Sequence, residues 1–379
     1  MLTLQNNLIY ISNTRIPSEK ANSYQSMVMC EAFSQNFKKV EFWYPKRKNT
    51  SQMDNIDNPF DFYNLCKSFF LKKIFTLDLH LISTIFPKVW FFILNMTFAL
   101  NYSFKLRKYS QNTIVLTRDT IGLSILSFAK SMGFIKQKIY FEAHIYSPKI
   151  SHFAKKVNGL IVINHYLKNL YEQDNVKNIL VVHDGVKLEE YINIKPKNTT
   201  EVKKIVYIGN LFEWKGVYTL VDSLKYLDNS IRLVIVGGSA DTLPSFSKYI
   251  QEHKIENIEL VGFVKKIKTI KYIENADVLV LPNSAKDKMS YYTSPLKLFE
   301  YMASKRPIVA SKLPSIEEVL EDKKNAVLFT PDDPKDLADK INWVLTNSCE
   351  NIVQNAFHDV HEYTWLNRAN KIVRWIKSD

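Results

Sequence analysis

Glu300 is the residue of this chain whose setting most needs a chemical explanation. Leu296, Phe299, Glu300 and Ala303 fall at i, i+3, i+4 and i+7, so one helical face carries a carboxylate inside an apolar seam. A buried charge without a partner is very costly. Lys297, one turn back, is one candidate partner, and a ligand with paired hydroxyls is the other. Ser294-Pro295 reads as the start of this helix, a hydroxyl N-cap with proline at the first helical position. The helix is expected to end near Lys305, ahead of Arg306-Pro307 and a short buried strand at Ile308-Val309-Ala310. Its positive N-terminus suits phosphate. Lys215 stands just before another helix start, where an ammonium can sit beside an anion that the helix dipole already favours. Glu142 and His144 close the run Lys138–His144, a strand that delivers them to its C-terminal end, where open α/β sheets place ligands. A purely structural histidine is the other reading of His144.

Short apolar runs position these groups. In the first half they fall at Leu8–Ile11, Val40–Tyr44, Ile114–Leu116, Lys138–His144, Gly159–Asn164 and Ile179–Val182. In the second half they fall at Lys204–Gly209, Arg232–Val236, Glu259–Val261, Asp277–Leu281, Ile308–Ala310 and Ala326–Phe329. Helical patterns lie between them, for example Val217–Leu227. Such alternation predicts parallel, doubly wound sheets. Loop Ser12–Ser23 follows the first strand and has no glycine, so the dinucleotide fingerprint is absent. Its Arg15 and Lys20 either meet an anionic ligand or are solvated loop charges. Arg118 follows the strand at Ile114. Gly237-Gly238 either permits close backbone approach or is only a turn.

The chain has 379 residues, enough for two domains with separate cores. Its three cysteines, Cys30, Cys66 and Cys349, are far apart, which points to a reducing compartment and no structural metal. No signal-peptide progression opens the chain. The net charge is +13, and residues 1–190 hold 24 Lys and Arg against 14 Asp and Glu. A basic half suits nucleic acid, an anionic membrane surface or a phosphate-bearing substrate. Nucleic acid is the weakest of these, because no DNA- or RNA-binding signature is present. Residues 60–104 are rich in Phe, Leu and Ile, and the sixteen from Val89 to Phe104 carry no charge. A membrane span needs about 20 apolar residues. The segment therefore reads as a buried core helix or as an interfacial helix with a basic rim.

The run F-E-Y-M-A-S-K-R-P-I-V-A-S from Phe299 resembles the C-terminal signature of retaining GT-B glycosyltransferases, specifically glycosyltransferase family four. In that family a Glu-x7-Glu element ends on a helix like this one. By resemblance Glu300 is the second glutamate, which holds the nucleotide ribose. The first falls at Tyr292, and Thr293 and Ser294 stand where glycines usually follow. The form S-P-x-K-L-x-E-Y-M-A, found among bacterial cell-surface polysaccharide enzymes, fits this chain. I-G-N-L-F-E-W-K-G, with Gly209 near its start, resembles the family's G-R-L-x-x-x-K-G turn, in which an Arg and a Lys grip the donor diphosphate. Lys215 is the lysine, and Asn210 replaces the arginine. Gly262-Phe263-Val264 resembles the place where backbone groups read the base. Val182–Val186 resembles the element before the inter-domain linker, and Tyr363-Thr364-Trp365 the aromatic element before the last helix. The resemblance covers residues 203–375 well and 1–200 more loosely.

The resemblance implies an α/β protein of GT-B fold, two Rossmann-like doubly wound parallel-sheet domains facing a cleft. The expected division is an acceptor-binding domain at 1–191, a linker at 192–203, a nucleotide-sugar-binding domain at 204–362 and a helix at 363–379 crossing back to the first. The implied enzyme is a retaining hexosyltransferase that moves a sugar from a nucleotide-sugar donor to a glycan, and the basic first half with its Phe-rich segment points to a lipid-linked glycan as the acceptor. His144 would orient the donor sugar, and Lys215, the helix start at Ser294 and Lys297 would stabilise leaving-group charge. Gly209, Gly238, Phe263, Val264, Tyr292 and Thr293 would line the donor site, and Arg15, Lys20 and Arg118 would meet the acceptor. No DxD motif is present, so neither a catalytic metal nor a cofactor beyond the nucleotide-sugar is expected. A cytoplasmic location follows, with an anionic membrane at the inner face as a further partner. The replacements Tyr292 and Asn210 keep a non-catalytic glycan-binding protein open, and an epimerase on the same fold is the other alternative.

Overall fold

Continuous apolar runs need burial on both faces, and parallel sheets covered by helices provide it. The computed structural model describes residues 4–379 except 52, 84, 196, 198–201 and 240. Of the expected linker 192–203, positions 196 and 198–201 therefore lie outside the described residues. The described chain forms two units.

The first unit extends to Val182 and takes in Trp365–Asp379. Its strands are β1 (Leu4–Ile11), β2 (Phe37–Pro45), β3 (Phe70–Ile74), β4 (Ile114–Thr117), β5 (Lys138–Ala143), β6 (Gly159–Val162) and β7 (Ile179–Val181). They pair in the order β3-β2-β1-β4-β5-β6-β7, all parallel. The helix Pro87–Leu106 buries Leu94, Phe98, Tyr102 and Leu106, and the cluster includes Ile9, Ile11, Val115 and Leu126. Each such side chain contributes about 1.5–3 kcal/mol on burial. The opposite stripe of this helix stays exposed, so the core-helix reading of Val89–Phe104 holds for one face only. Among the described residues no helix is long and apolar enough to cross a membrane. Strand β3 is an edge strand inside the Phe-rich stretch, where aromatic content masks the alternation that would mark it. The last helix, Trp365–Ser378, packs on the helix Ala21–Ser34 and buries Trp365, Arg368, Ala369, Ile372, Val373 and Ile376.

The second unit is His183–Thr364. Its strands β8 (Lys204–Ile208), β9 (Arg232–Val236), β10 (Ile258–Gly262), β11 (Val278–Leu281), β12 (Ile308–Ser311) and β13 (Val327–Phe329) run in the order β10-β9-β8-β11-β12-β13. All are parallel.

Both sheets reverse strand order beside their first strand. β1 lies between β2 and β4, and β8 between β9 and β11. Loops leaving the carboxyl ends of strands diverge at such a switch point, and the crevice they leave is where open α/β sheets bind ligands. Register carries particular residues there. Ile11 pairs with Thr117, and the Arg118 amide donates to the Ile11 carbonyl at 3.0 Å. Thr117 pairs with Phe141, which sets Arg118 level with Glu142.

Candidate active site

In the second unit the turn after β8 is built by Glu213–Lys215 in a 3-10 turn that ends on Gly216 at φ +68°. A Cβ at Gly216 would lie 1.7 Å from the Pro282 carbonyl oxygen, so only glycine lets the segment after β11 approach this closely. That segment is tied to the turn by the Ser284 amide, which donates to the Trp214 carbonyl at 3.0 Å. The loops after β8 and β11 are thus one structure at the switch point. Lys215 lies 4.0 Å over the Trp214 ring, and among the described residues no carboxylate pairs with it. Burial pushes its ammonium down to about 8. An anion placed beside this ammonium would favour its charged form and offset the cost of burial.

Glu300 is 3% exposed, and its Oε2 lies 2.5 Å from Lys297 Nζ. Burial alone would raise its carboxyl, but Lys297 and Lys266 outweigh that and hold it low. The one-turn partner read from the seam is therefore in place, on the helix Leu296–Ala303. The expected cap is not. Pro295 is extended at ψ 120°, the helix starts at Leu296, and the buried Ser294 hydroxyl accepts instead from the Asp184 amide at 3.1 Å. The Tyr301 hydroxyl accepts from the Ile208 amide at 3.0 Å, which fastens this helix to the end of β8.

The other expected donor residues are placed unevenly. Gly209 and Asn210 follow β8; Asn210 is exposed, and its carbonyl accepts from the Tyr207 hydroxyl at 2.6 Å. Tyr292 ends the short helix Met289–Tyr292, and Tyr292 and Thr293 are half-buried. Phe263 is exposed past β10, whereas Val264 packs against the core. Gly238 sits at φ +93°, and a Cβ there would lie 2.8 Å from Leu211 Cδ1, whereas a Cβ at Gly237, at φ +128°, would lie 2.1 Å from the Gly209 carbonyl oxygen, so the pair both makes a turn and lets two backbone segments approach closely.

In the first unit, Glu142 is fully buried and gathers three basic side chains. Arg368 Nη2 lies 3.1 Å away, His144 Nε2 2.8 Å and Arg118 Nε 3.9 Å. Burial would raise the Glu142 carboxyl, but Arg368, Arg118 and His144 outweigh it and hold it well below the usual range. Arg118 also reaches Ser26 Oγ at 3.4 Å, so it is a partner of Glu142 more than an open acceptor contact. His144 remains partly exposed at the strand end, fixed through one ring nitrogen. Arg15 is half-buried near Arg47, whose guanidinium donates to the Asn13 carbonyl at 2.9 Å. Burial first, and then Arg15, push the Arg47 guanidinium down to about 10. Lys20 precedes the helix Ala21–Ser34 and is exposed.

Sequence reasoning missed Arg47 and Arg368. For Arg47 no signal separates it from its neighbours Lys46 and Lys48. For Arg368 the signal exists: it falls in the apolar stripe of the last helix, as Glu300 does in its own. Among the described residues no group of three or more His, Cys, Asp or Glu is placed to hold a metal ion.

Over 98% of its length and 99% of the other's, the chain superposes on the Anabaena HepE structure in complex with UDP and glucose, with a TM-score of 0.73 and 13% identity. The fold is GT-B. Residues 202–347, most of the second GT-B unit, match the family described as Glycosyl transferases group 1. An uncharacterized glycosyltransferase of Methanocaldococcus jannaschii is 22% identical over 188 residues, 50% of each chain. The poly(ribitol-phosphate) alpha-N-acetylglucosaminyltransferase of Staphylococcus aureus is 26% identical over 235 residues, covering 57% of this chain and 45% of that one. The chain spans about half the length of these curated relatives.

Proposed function

We propose that this GT-B protein is a retaining glycosyltransferase that moves a hexose from a nucleotide-sugar to a glycan or lipid-linked glycan in bacterial surface polysaccharide synthesis. The observation that carries this reading is Lys215. It is a cation without a carboxylate partner among the described residues, on a glycine-dependent turn at the switch point of the unit that matches the Glycosyl transferases group 1 model. When the bond from the anomeric carbon to the diphosphate breaks, negative charge grows on the departing phosphate. Lys215 and the N-terminal end of the helix Leu296–Ala303 meet that charge. Glu300 holds the nucleotide ribose, and Lys297 keeps its carboxylate ionised. His144, anchored on Glu142, orients the sugar, and Arg15 and Lys20 meet the acceptor. The acceptor hydroxyl approaches from the face that the phosphate leaves, which retains configuration without an enzymic nucleophile. The charge stabilisation assigned to these side chains leaves no task for a metal, so the reaction proceeds in EDTA.

UDP-sugars are the first donors to try, since the Anabaena structure holds UDP and glucose. The test is release of nucleoside diphosphate from nucleotide-sugars offered with lipid-linked and soluble glycan acceptors in EDTA, with the anomeric configuration of the product read by NMR. Acceptor-dependent release with a retained product supports the proposal. Donor binding without turnover on any acceptor sinks the enzymatic reading and favours a glycan-binding protein. An inverted product, or activity lost in EDTA, overturns those parts of the mechanism.

A further inference from the structure

The helix Pro87–Leu106 has two apolar faces where a surface helix ordinarily has one. One stripe is in the core. The other carries Val89, Phe92, Leu100 and Phe104, which are 51%, 56%, 45% and 65% exposed. The adjacent helix Thr120–Ser131 packs beside it, and exposed Phe128 and Met132 follow the same pattern of one buried and one bare face. At the far end Arg107 lies 5.7 Å over the Phe134 ring, so the ends of the two helices meet. Single exposed apolar residues are ordinary, but a continuous apolar surface marks a site of attachment.

The charge around this surface selects its occupant. Lys88 stands before the uncharged run, and Lys105, Arg107 and Lys108 follow it. Residues 64–141 hold eleven Lys and Arg against two carboxylates, and of those two Asp119 is buried. Two copies of so basic a face repel each other, which disfavours a self-interface. An anionic phospholipid surface satisfies both the apolar stripe and its basic rim. The helix is about 30 Å long at 1.5 Å per residue, so it can lie along a bilayer with one face in the acyl boundary.

We infer that the outer face of Pro87–Leu106, continued by Phe128 and Met132, is a membrane-docking surface for anionic phospholipid. This deepens the lipid-linked acceptor in the proposed function, yet it stands on the bare apolar stripe and its charge and needs no donor to be tested. The insertion residues point away from the core, so polar replacements there leave the fold intact.

The experiment is flotation of the full chain with phosphatidylglycerol-containing vesicles and with pure phosphatidylcholine vesicles, without any nucleotide-sugar. The wild type is expected to float with the anionic vesicles, less so at high salt, where the basic rim is screened. The triple variant Phe92→Ser, Leu100→Ser, Phe104→Ser is expected to stay behind with an unchanged melting temperature. Absence of wild-type flotation, or equal flotation of the triple variant, overturns the proposal. So does a dimer in light scattering that the triple variant dissolves while neither protein binds vesicles, since a second copy is then the occupant. None of these outcomes depends on whether the protein transfers sugar.

Discussion

Arg368 Nη2 lies 3.1 Å from Glu142 Oε1, with both side chains essentially out of solvent. The pair joins the last helix to the strand end that presents His144. Removing one member of a buried pair leaves an uncompensated charge and costs about 3–5 kcal/mol. Arg368→Ala is expected to lose that much in urea unfolding, and Glu142→Gln with Arg368→Met to lose less. The depressed Glu142 carboxyl gives the pair its full worth above the ordinary carboxylate range, and that worth is lost as pH falls through the folded value. A loss under about 1 kcal/mol in Arg368→Ala would show the pair to be energetically idle.

Lys215 sets a pH dependence with two opposite signs. Its folded value, about 8, lies below the 10.5 of the free side chain. The unfolded chain therefore holds more protons between those values, and stability rises with pH across that window. Affinity for a nucleoside diphosphate does the reverse, because only the ammonium is attracted. From about pH 7 upward, where the terminal phosphate of UDP is largely ionised, calorimetric titration should show level affinity to about 8 and then a fall approaching tenfold per unit. A pH profile identical in Lys215→Ala would remove Lys215 from the diphosphate site.

Gly216→Ala tests the glycine-dependent turn. The left-handed φ of +68° alone costs about 1–2 kcal/mol with a side chain, and the Pro282 carbonyl 1.7 Å from the new Cβ forces the neighbouring loop to move. Differential scanning fluorimetry should show a lower melting temperature together with a weaker response to UDP. An unchanged response would mean that the turn does not shape the ligand site.

Lys297 and Glu300 are unequal partners. The Lys297 side chain is 23% exposed and can turn to water, whereas that of Glu300 is 4% exposed and cannot. Lys297→Met strands a buried carboxylate and should destabilise by several kcal/mol. Glu300→Gln should cost less in stability and more in donor affinity. Chemical denaturation of both variants decides the order, and equal losses would contradict it.

The second GT-B unit was legible in unusual detail because each of its strands is an apolar run bounded by polar turns. Arg232–Val236 was read to the residue, and the start of β12 was exact. The buried setting of Glu300 followed from helical spacing alone, and of the two partners that spacing left open the structure pairs it with Lys297. What the sequence hid was tertiary. The Ser294 hydroxyl serves a distant amide, Asp184, in place of its own helix, and no local pattern announces that. Two of the three partners of Glu142, Arg118 and Arg368, come from distant segments. The two-sided apolar helix Pro87–Leu106 has a composition that fits core and surface alike, so its exposed stripe emerges only once the sheet covers the other face.

The central claim is that the second unit holds a nucleotide-sugar through Lys215 and Glu300. A thermal-shift screen of the wild type against UDP-, GDP-, ADP- and CMP-sugars, with and without EDTA, tests it most directly. A ligand at about 100 times its dissociation constant stabilises by about 2.7 kcal/mol, well within reach of such a screen. The account predicts a shift with one nucleotide class, unchanged by EDTA and lost in Lys215→Ala and Glu300→Ala. A shift that survives both substitutions, or none with any of the four classes, contradicts it.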